Sequence, residues 1–217
     1  MLTEKAGVTG IHRALRYAFP PNQLKLCGPK LDIDSYRLLF ENTEKAREFL
    51  ISLPYLGKRC AKIAMQRNLD TFDSRVINAY FLGIYPYEEN GRPMTHLMDI
   101  LITDGTMACN TKNDAARTHF ITRLNSCTVR CGTVISSGNY NIFANITTFA
   151  FSDNKIVQVI TKETLTPLPF DNIVPKPGQA ITTHGLYLIE TISQEQLRLI
   201  NVEVQREIKM FNDSLKK

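Results

Sequence analysis

A chain of 217 residues, 43% hydrophobic and 22% charged, has the composition of a folded protein with a substantial core, which excludes disordered, collagen-like and low-complexity classes. Its five cysteines, Cys27, Cys60, Cys109, Cys127 and Cys131, are odd in number and scattered, unlike a disulfide framework, and suit a reducing compartment. No run approaches the ~18 uncharged apolar residues of a membrane span, and charges interrupt Met1 to Pro20 where a secretion signal would be apolar. A cytoplasmic protein without a membrane partner is expected.

The formal charge of +5 is uneven, with 13 Lys/Arg against 8 Asp/Glu in residues 1–83 and 13 against 13 thereafter. Such an excess can attract nucleic acid or an acidic partner. The interleaving of Glu41, Glu44, Lys45, Arg47 and Glu48 favours a solvated helical face instead. The densest basic spot, Lys58, Arg59, Lys62 and Arg67, falls on one predicted helix.

In chain order, a first helix is predicted from Thr3 to Ala18, ending before Pro20-Pro21 because proline lacks the amide that continues a helix. A loop over 22–29 follows. Helices are then predicted over Asp34 to Phe40, over Glu44 to Leu53 after the cap candidate Thr43, over Tyr55 to Asn68, and over Asp73 to Leu82 with Val76, Ile77, Tyr80 and Phe81 as its apolar stripe. Residues 1–84 thus read as a basic helical bundle. The turn-rich stretch Tyr85 to Pro93 marks the boundary.

Residues 94–217 read as mainly β. His96 to Thr103 alternates and predicts a strand, and Lys112 to Leu124 predicts a helix. Thr128 to Ser136, Asn141 to Phe151 and Lys155 to Glu163 are rich in β-branched and aromatic residues, with turn formers at Ser137-Gly138-Asn139 and Ser152-Asp153-Asn154. A further strand pair over Ala180 to Thr191 completes an expected small antiparallel barrel or curled sheet of four to six strands. Ser193 and Gln196 have capping-box spacing before a final helix striped by Leu197, Ile200, Val204, Ile208, Phe211 and Leu215. That stripe needs an apolar surface, so the α+β halves are expected to pack as one compact unit.

The familiar signatures are missing: no Walker A loop, dinucleotide glycine fingerprint, nucleophile elbow, His-Glu-x-x-His or Cys-x-x-Cys occurs. What remains is a thin set of soft and imidazole ligands. Cys27 precedes Gly28-Pro29 in a loop whose amides can depress a thiol's pKa, His96 opens a predicted strand, and His184 nears the end of another. Convergence of Cys27, His96 and His184 would suit iron, nickel or zinc. Cys127 and Cys131 lie four apart on a predicted strand, which puts both on one face, and buried inert thiols are the commoner outcome for such a pair.

The run Arg16-Tyr17-Ala18-Phe19-Pro20-Pro21-Asn22-x-Leu24-x-x-Cys27-Gly28-Pro29 resembles the opening motif of a bacterial and archaeal family classed as a domain of unknown function. The likeness continues through Asn78 to Gly83, Thr95-His96, Cys127 to Val134 and Ile181 to Tyr187. The family is tryptophan-rich near the counterparts of Cys131, Gly185 and Tyr187, whereas this chain contains no tryptophan. The resemblance implies an association with nickel-iron hydrogenase genes and their maturation factors, among which are small chaperones with a β-barrel and a C-terminal helix.

Three functions follow as expectations. The first is an accessory protein for hydrogenase metallocentre assembly, with Cys27, His96 and His184 toward a metal, and Arg16, Tyr17, Asn22, Cys27 and Cys127 toward a hydrogenase subunit or assembly factor. The second is an enzyme using Cys27 as nucleophile or His184 as general base. The third is a nucleic-acid module built on the basic helices.

Overall fold

The computed structural model describes residues 10–25, 28–84, 94–111, 113–138, 141–170 and 173–215. The chain divides into two compact units, Met1–Met94 and Thr95–Lys217. The predicted boundary segment over 85–93 and the first residues of the predicted opening helix, 3–9, lie outside the described residues.

The first unit is helical. Helix α1 (Gly10–Gln23) runs through Pro20 and Pro21 instead of stopping before them. The two prolines remove the amides that the carbonyls of Arg16 and Tyr17 would accept from, a loss of ~3 kcal/mol in an exposed helix. Here Phe19, Pro20 and Pro21 are all buried, which offsets the loss, and the ladder resumes with Leu24 N donating to the Pro20 carbonyl at 3.3 Å. Helix α2 (Ile33–Glu41) is capped by Asp32, whose carboxylate accepts from Ser35 N at 2.7 Å. Helix α3 (Thr43–Ser52) is capped by Asn42 and not by Thr43, because the Asn42 side chain reaches Lys45 N.

Helix α4 (Leu56–Arg67) ends at Asn68 in the left-handed region, φ 51°. Helix α5 (Ser74–Ile77) starts on Asp73 and passes into a π-helical turn over Asn78–Leu82 that closes on Gly83 at φ 65°. Their common core is aromatic: Tyr17 stacks on Phe81 at 4.7 Å, and Tyr36 meets Phe19 edge-on at 4.7 Å, each pair worth ~1 kcal/mol beyond its buried area.

The second unit opens with a correction. His96 to Thr103 is not a strand: α6 (His96–Ile100) is followed by a π-helical turn over Leu101–Gly105 and by α7 (Thr106–Asn110). Thr95 decides it by capping Met98 N at 3.1 Å. Leu97, Ile100 and Leu101 are buried while Ile102 is 49% exposed, a helical spacing that a nearly all-apolar run also displays as alternation. Helix α8 (Asp114–Cys127) then carries Cys127 as its last residue. Cys127 and Cys131 therefore lie on different elements, and the predicted shared strand face does not form. The helix holds on because both the amide and the hydroxyl of Thr128 donate to the Leu124 carbonyl, at 3.1 and 2.7 Å.

Strands β1 (Val129–Ser137), β2 (Ile142–Ser152), β3 (Lys155–Pro167), β4 (Ala180–His184) and β5 (Tyr187–Ile192) form one sheet that closes on itself in the order β1-β2-β3-β5-β4. Four pairings are antiparallel. The closing contact of β3 with β5 is parallel over Thr166–Tyr187 and Pro167–Leu188, so the sheet is mixed. The β2–β3 turn places Asp153 and Asn154 at φ 50° and 60°, the doubly left-handed geometry whose twist suits a two-residue hairpin. Register puts Val134, Ile142, Ala144, Ile146, Leu165, Ile181 and Leu188 together inside the ring. Helix α9 (Gln194–Ser214) starts on the expected capping box of Ser193 and Gln196 and buries Ile200, Ile208 and Phe211. The fold class is α+β, as expected.

Candidate functional site

The motif residues of the first unit are mostly interior. Tyr17 and Asn22 are fully buried and Arg16 is half-buried. Asn22 Nδ2 donates to the Tyr36 hydroxyl at 2.9 Å, and desolvation pushes the Tyr36 phenol well above its usual value. A Cβ on Gly28 would lie 2.6 Å from Asn22 Oδ1 and 2.7 Å from a Leu53 methyl, so the glycine of the Cys-Gly-Pro run is needed for close approach. The motif therefore has a packing role. Cys27 itself lies outside the described residues. Helix α4 carries all four residues of the basic spot, with Lys58 and Lys62 exposed and Arg59 and Arg67 half-buried.

In the second unit two of the predicted residues come together. His96 at the start of α6 and His184 at the end of β4 meet edge to face, ring centroids 5.8 Å apart at 71°. Both are buried, at 9% and 1% exposure. His96 Nε2 lies 2.6 Å from the Cys127 carbonyl. A carbonyl only accepts, so Nε2 carries the proton and Nδ1 the lone pair. Burial holds the His96 pKa down at about 4, against the smaller raising effect of the Cys127 carbonyl, so the imidazole is neutral at pH 7. Cys127 thus contributes a backbone oxygen here. Thr95, next to His96, places its hydroxyl 2.7 Å from both carboxylate oxygens of Glu207 on α9.

A second polar cluster lies inside the closed sheet and was not assembled from sequence. Register puts Arg130 opposite Thr183 on the inner face, two residues from Gly132 and Ile181, and Glu163 opposite Ala144. Arg130 Nη1 is 2.5 Å from Glu163 Oε1, and Nη2 donates to the Gly185 carbonyl at 2.7 Å. The Arg130 side chain is 2% exposed and that of Glu163 18%. Thr161 Oγ1 stands 3.4 Å from Glu163 Oε1 and 3.4 Å from Thr148 Oγ1. Alternation along β1, β3 and β4 was the available signal. It needs the strand pairing to show that the inward positions of three strands share one end of the ring.

Three of the described thiols are chemically quiet. Desolvation pushes Cys60 and Cys131 up to about 12 and raises Cys109, and Cys131 Sγ donates to Asn201 Oδ1 at 3.3 Å. Among the described residues no group of three or more His, Cys, Asp or Glu side chains could hold a metal ion, and none of the described helices is long and apolar enough to cross a membrane.

These features define an α+β protein of two units, with a paired-imidazole cluster and a charged ring interior in the second. Residues 6–99 match a Family of unknown function (DUF6390), a similarity that spans the described part of the helical unit and ends within α6. No curated protein and no solved structure matches the chain.

Proposed function

We propose that the protein is an accessory factor in metallocentre assembly, holding a metal ion jointly with a partner. The observation that carries this reading is the His96–His184 pair. An imidazole that donates its Nε2 proton to a backbone carbonyl is oriented as metal-binding histidines are, with the opposite nitrogen bearing the lone pair. Its neutrality at pH 7 means that no proton has to leave before a metal arrives. Two nitrogens are fewer than the four donors zinc prefers, and a site completed by a partner's ligands suits transfer better than storage. The resemblance of the opening motif supplies the partner class, a nickel-iron hydrogenase subunit or assembly factor, and the metals iron, nickel or zinc.

Elemental analysis of protein purified without oxygen or chelator, alone and with His96→Ala, His184→Ala and Cys27→Ala, tests the reading. Metal lost in both histidine variants supports it. Metal absent from the wild type, together with no uptake of added nickel or zinc, overturns it.

A further inference from the structure

The ring of strands closes through a short contact, and most of one strand edge is left over. Strand β3 runs from Lys155 to Pro167, yet only Thr166 and Pro167 pair with β5. Along its other edge β3 pairs with β2 without a break from Lys155 to Leu165. The two-residue hairpin makes Ser152 and Lys155 a hydrogen-bonded pair, so backbone groups of odd-numbered β3 residues face β2 and those of even-numbered residues face away. Two even-numbered residues mark the ends of the open edge. Ile156 N donates to Asn212 Oδ1 at 3.1 Å while its carbonyl accepts from Asn212 Nδ2 at 2.8 Å, and Thr166 N donates to the Leu186 carbonyl at 2.8 Å.

Between them stand Gln158, Ile160, Lys162 and Thr164, whose backbone N–H and C=O groups meet no strand and no hydrogen-bonding partner among the described residues. Ile160 is 74% exposed, and Lys162 and Thr164 are exposed as well. No proline and no bulge interrupts this stretch. A straight edge rich in β-branched residues is a template for a further strand.

The slot sets what can fill it. From Gln158 to Thr164 it is seven residues long, roughly 20 Å of extended chain. Asn212 closes one end and Leu186 the other. The β3 of a second copy, thirteen residues in one run, is too long to lie between them, whereas a short extended segment fits. Antiparallel pairing lets each of the four open residues exchange two hydrogen bonds with it. Ile160 and Lys162, two apart, share a face, so an acidic residue suits the position opposite Lys162 and an apolar one the position opposite Ile160.

We propose that the free edge of β3, Gln158 to Thr164, binds an extended segment of a partner protein as an added antiparallel strand. The segment it selects carries an acidic residue followed two positions later by an apolar one. This docking stands whether or not a metal binds at His96 and His184.

Amide hydrogen exchange of the isotope-labelled full chain tests it, with the capped peptide Thr-Ser-Glu-Thr-Val-Thr-Ser as probe, which aligns its glutamate with Lys162 and its valine with Ile160. Without peptide, the amides of Val157, Val159, Thr161 and Glu163 should be protected and those of Gln158, Ile160, Lys162 and Thr164 should exchange freely. Peptide should protect the second set saturably. N-methylation at the glutamate and valine removes donors aimed at β3 and should abolish binding, whereas N-methylation at the second and fourth residues should leave it intact. Lys162→Glu, at an exposed position, should weaken binding roughly threefold, the size of a cross-strand charge pair, and should favour a peptide with lysine in place of the glutamate. Edge amides already protected without peptide, no saturable protection, equal binding of the two N-methylated peptides, or indifference of Lys162→Glu to the peptide's charge overturns the proposal.

Discussion

The Thr95 hydroxyl joins two elements more than a hundred positions apart in sequence: it caps α6 through Met98 N and lies 2.7 Å from both oxygens of the buried Glu207 carboxylate on α9. Thr95→Val keeps the shape and removes both roles. Loss of a cap costs ~1 kcal/mol, and taking a donor from a buried carboxylate adds ~1–3 kcal/mol. Urea denaturation is expected to show a clear drop in midpoint. An unchanged midpoint would mean that α6 and α9 are held by packing alone.

His96 makes stability pH-dependent in a defined window. Its pKa is depressed from 6.5 to about 4 in the fold, so between those values the unfolded chain binds the proton and the native chain does not. Stability from this group is full above pH 6.5 and falls as pH drops toward 4, by ~3 kcal/mol in all. Wild type minus His96→Gln isolates it from Asp99, Glu203, Glu207 and His184 in the same unit. A flat difference curve between pH 7 and 4 would show that His96 is not held neutral by the fold.

Gly132 tolerates no side chain. A Cβ there would fall 2.0 Å from the Asn145 carbonyl oxygen and 2.7 Å from Ile146 Cδ1, so Gly132→Ala forces β1 and β2 apart within the ring. Overpacking of this kind costs ~1–3 kcal/mol or more. Thermal melts should register it, whereas Gly138→Ala, where the nearest atom is 3.6 Å away, should change little.

Thiol labelling should separate the cysteines. Cys60 and Cys131, buried and pushed up to about 12, are expected to resist iodoacetamide at pH 8 in the native state and to react only on unfolding. Mass spectrometry of the labelled protein reads this directly. Rapid native labelling of either would show local opening of its unit.

The capping box of Ser193 and Gln196 should be worth ~1 kcal/mol to α9. Ser193→Ala removes the hydroxyl that accepts from Gln196 N at 3.1 Å and should lower the melting temperature by a few degrees. Ser193→Asp should restore it.

Local chemistry determined much of this protein from its sequence alone. The β-branched runs with Asp153-Asn154 between them, the Ser193–Gln196 box and the periodic apolar stripe of α9 each act within a few residues, so their outcome is legible without the rest of the chain. Where a local rule met a packing gain, tertiary structure decided. Pro20 and Pro21 stay within α1 because burial there outweighs the lost amide bonds, and His96 to Thr103 becomes helical because Thr95 caps it and α9 holds the cap. The two clusters lie further beyond sequence reading. His96 and His184 were singled out one by one, but their approach depends on where α6 lies against the end of β4. Arg130, Glu163 and Thr183 share one end of the ring only through the registers of β1, β3 and β4, and register is set by burying whole strand faces at once.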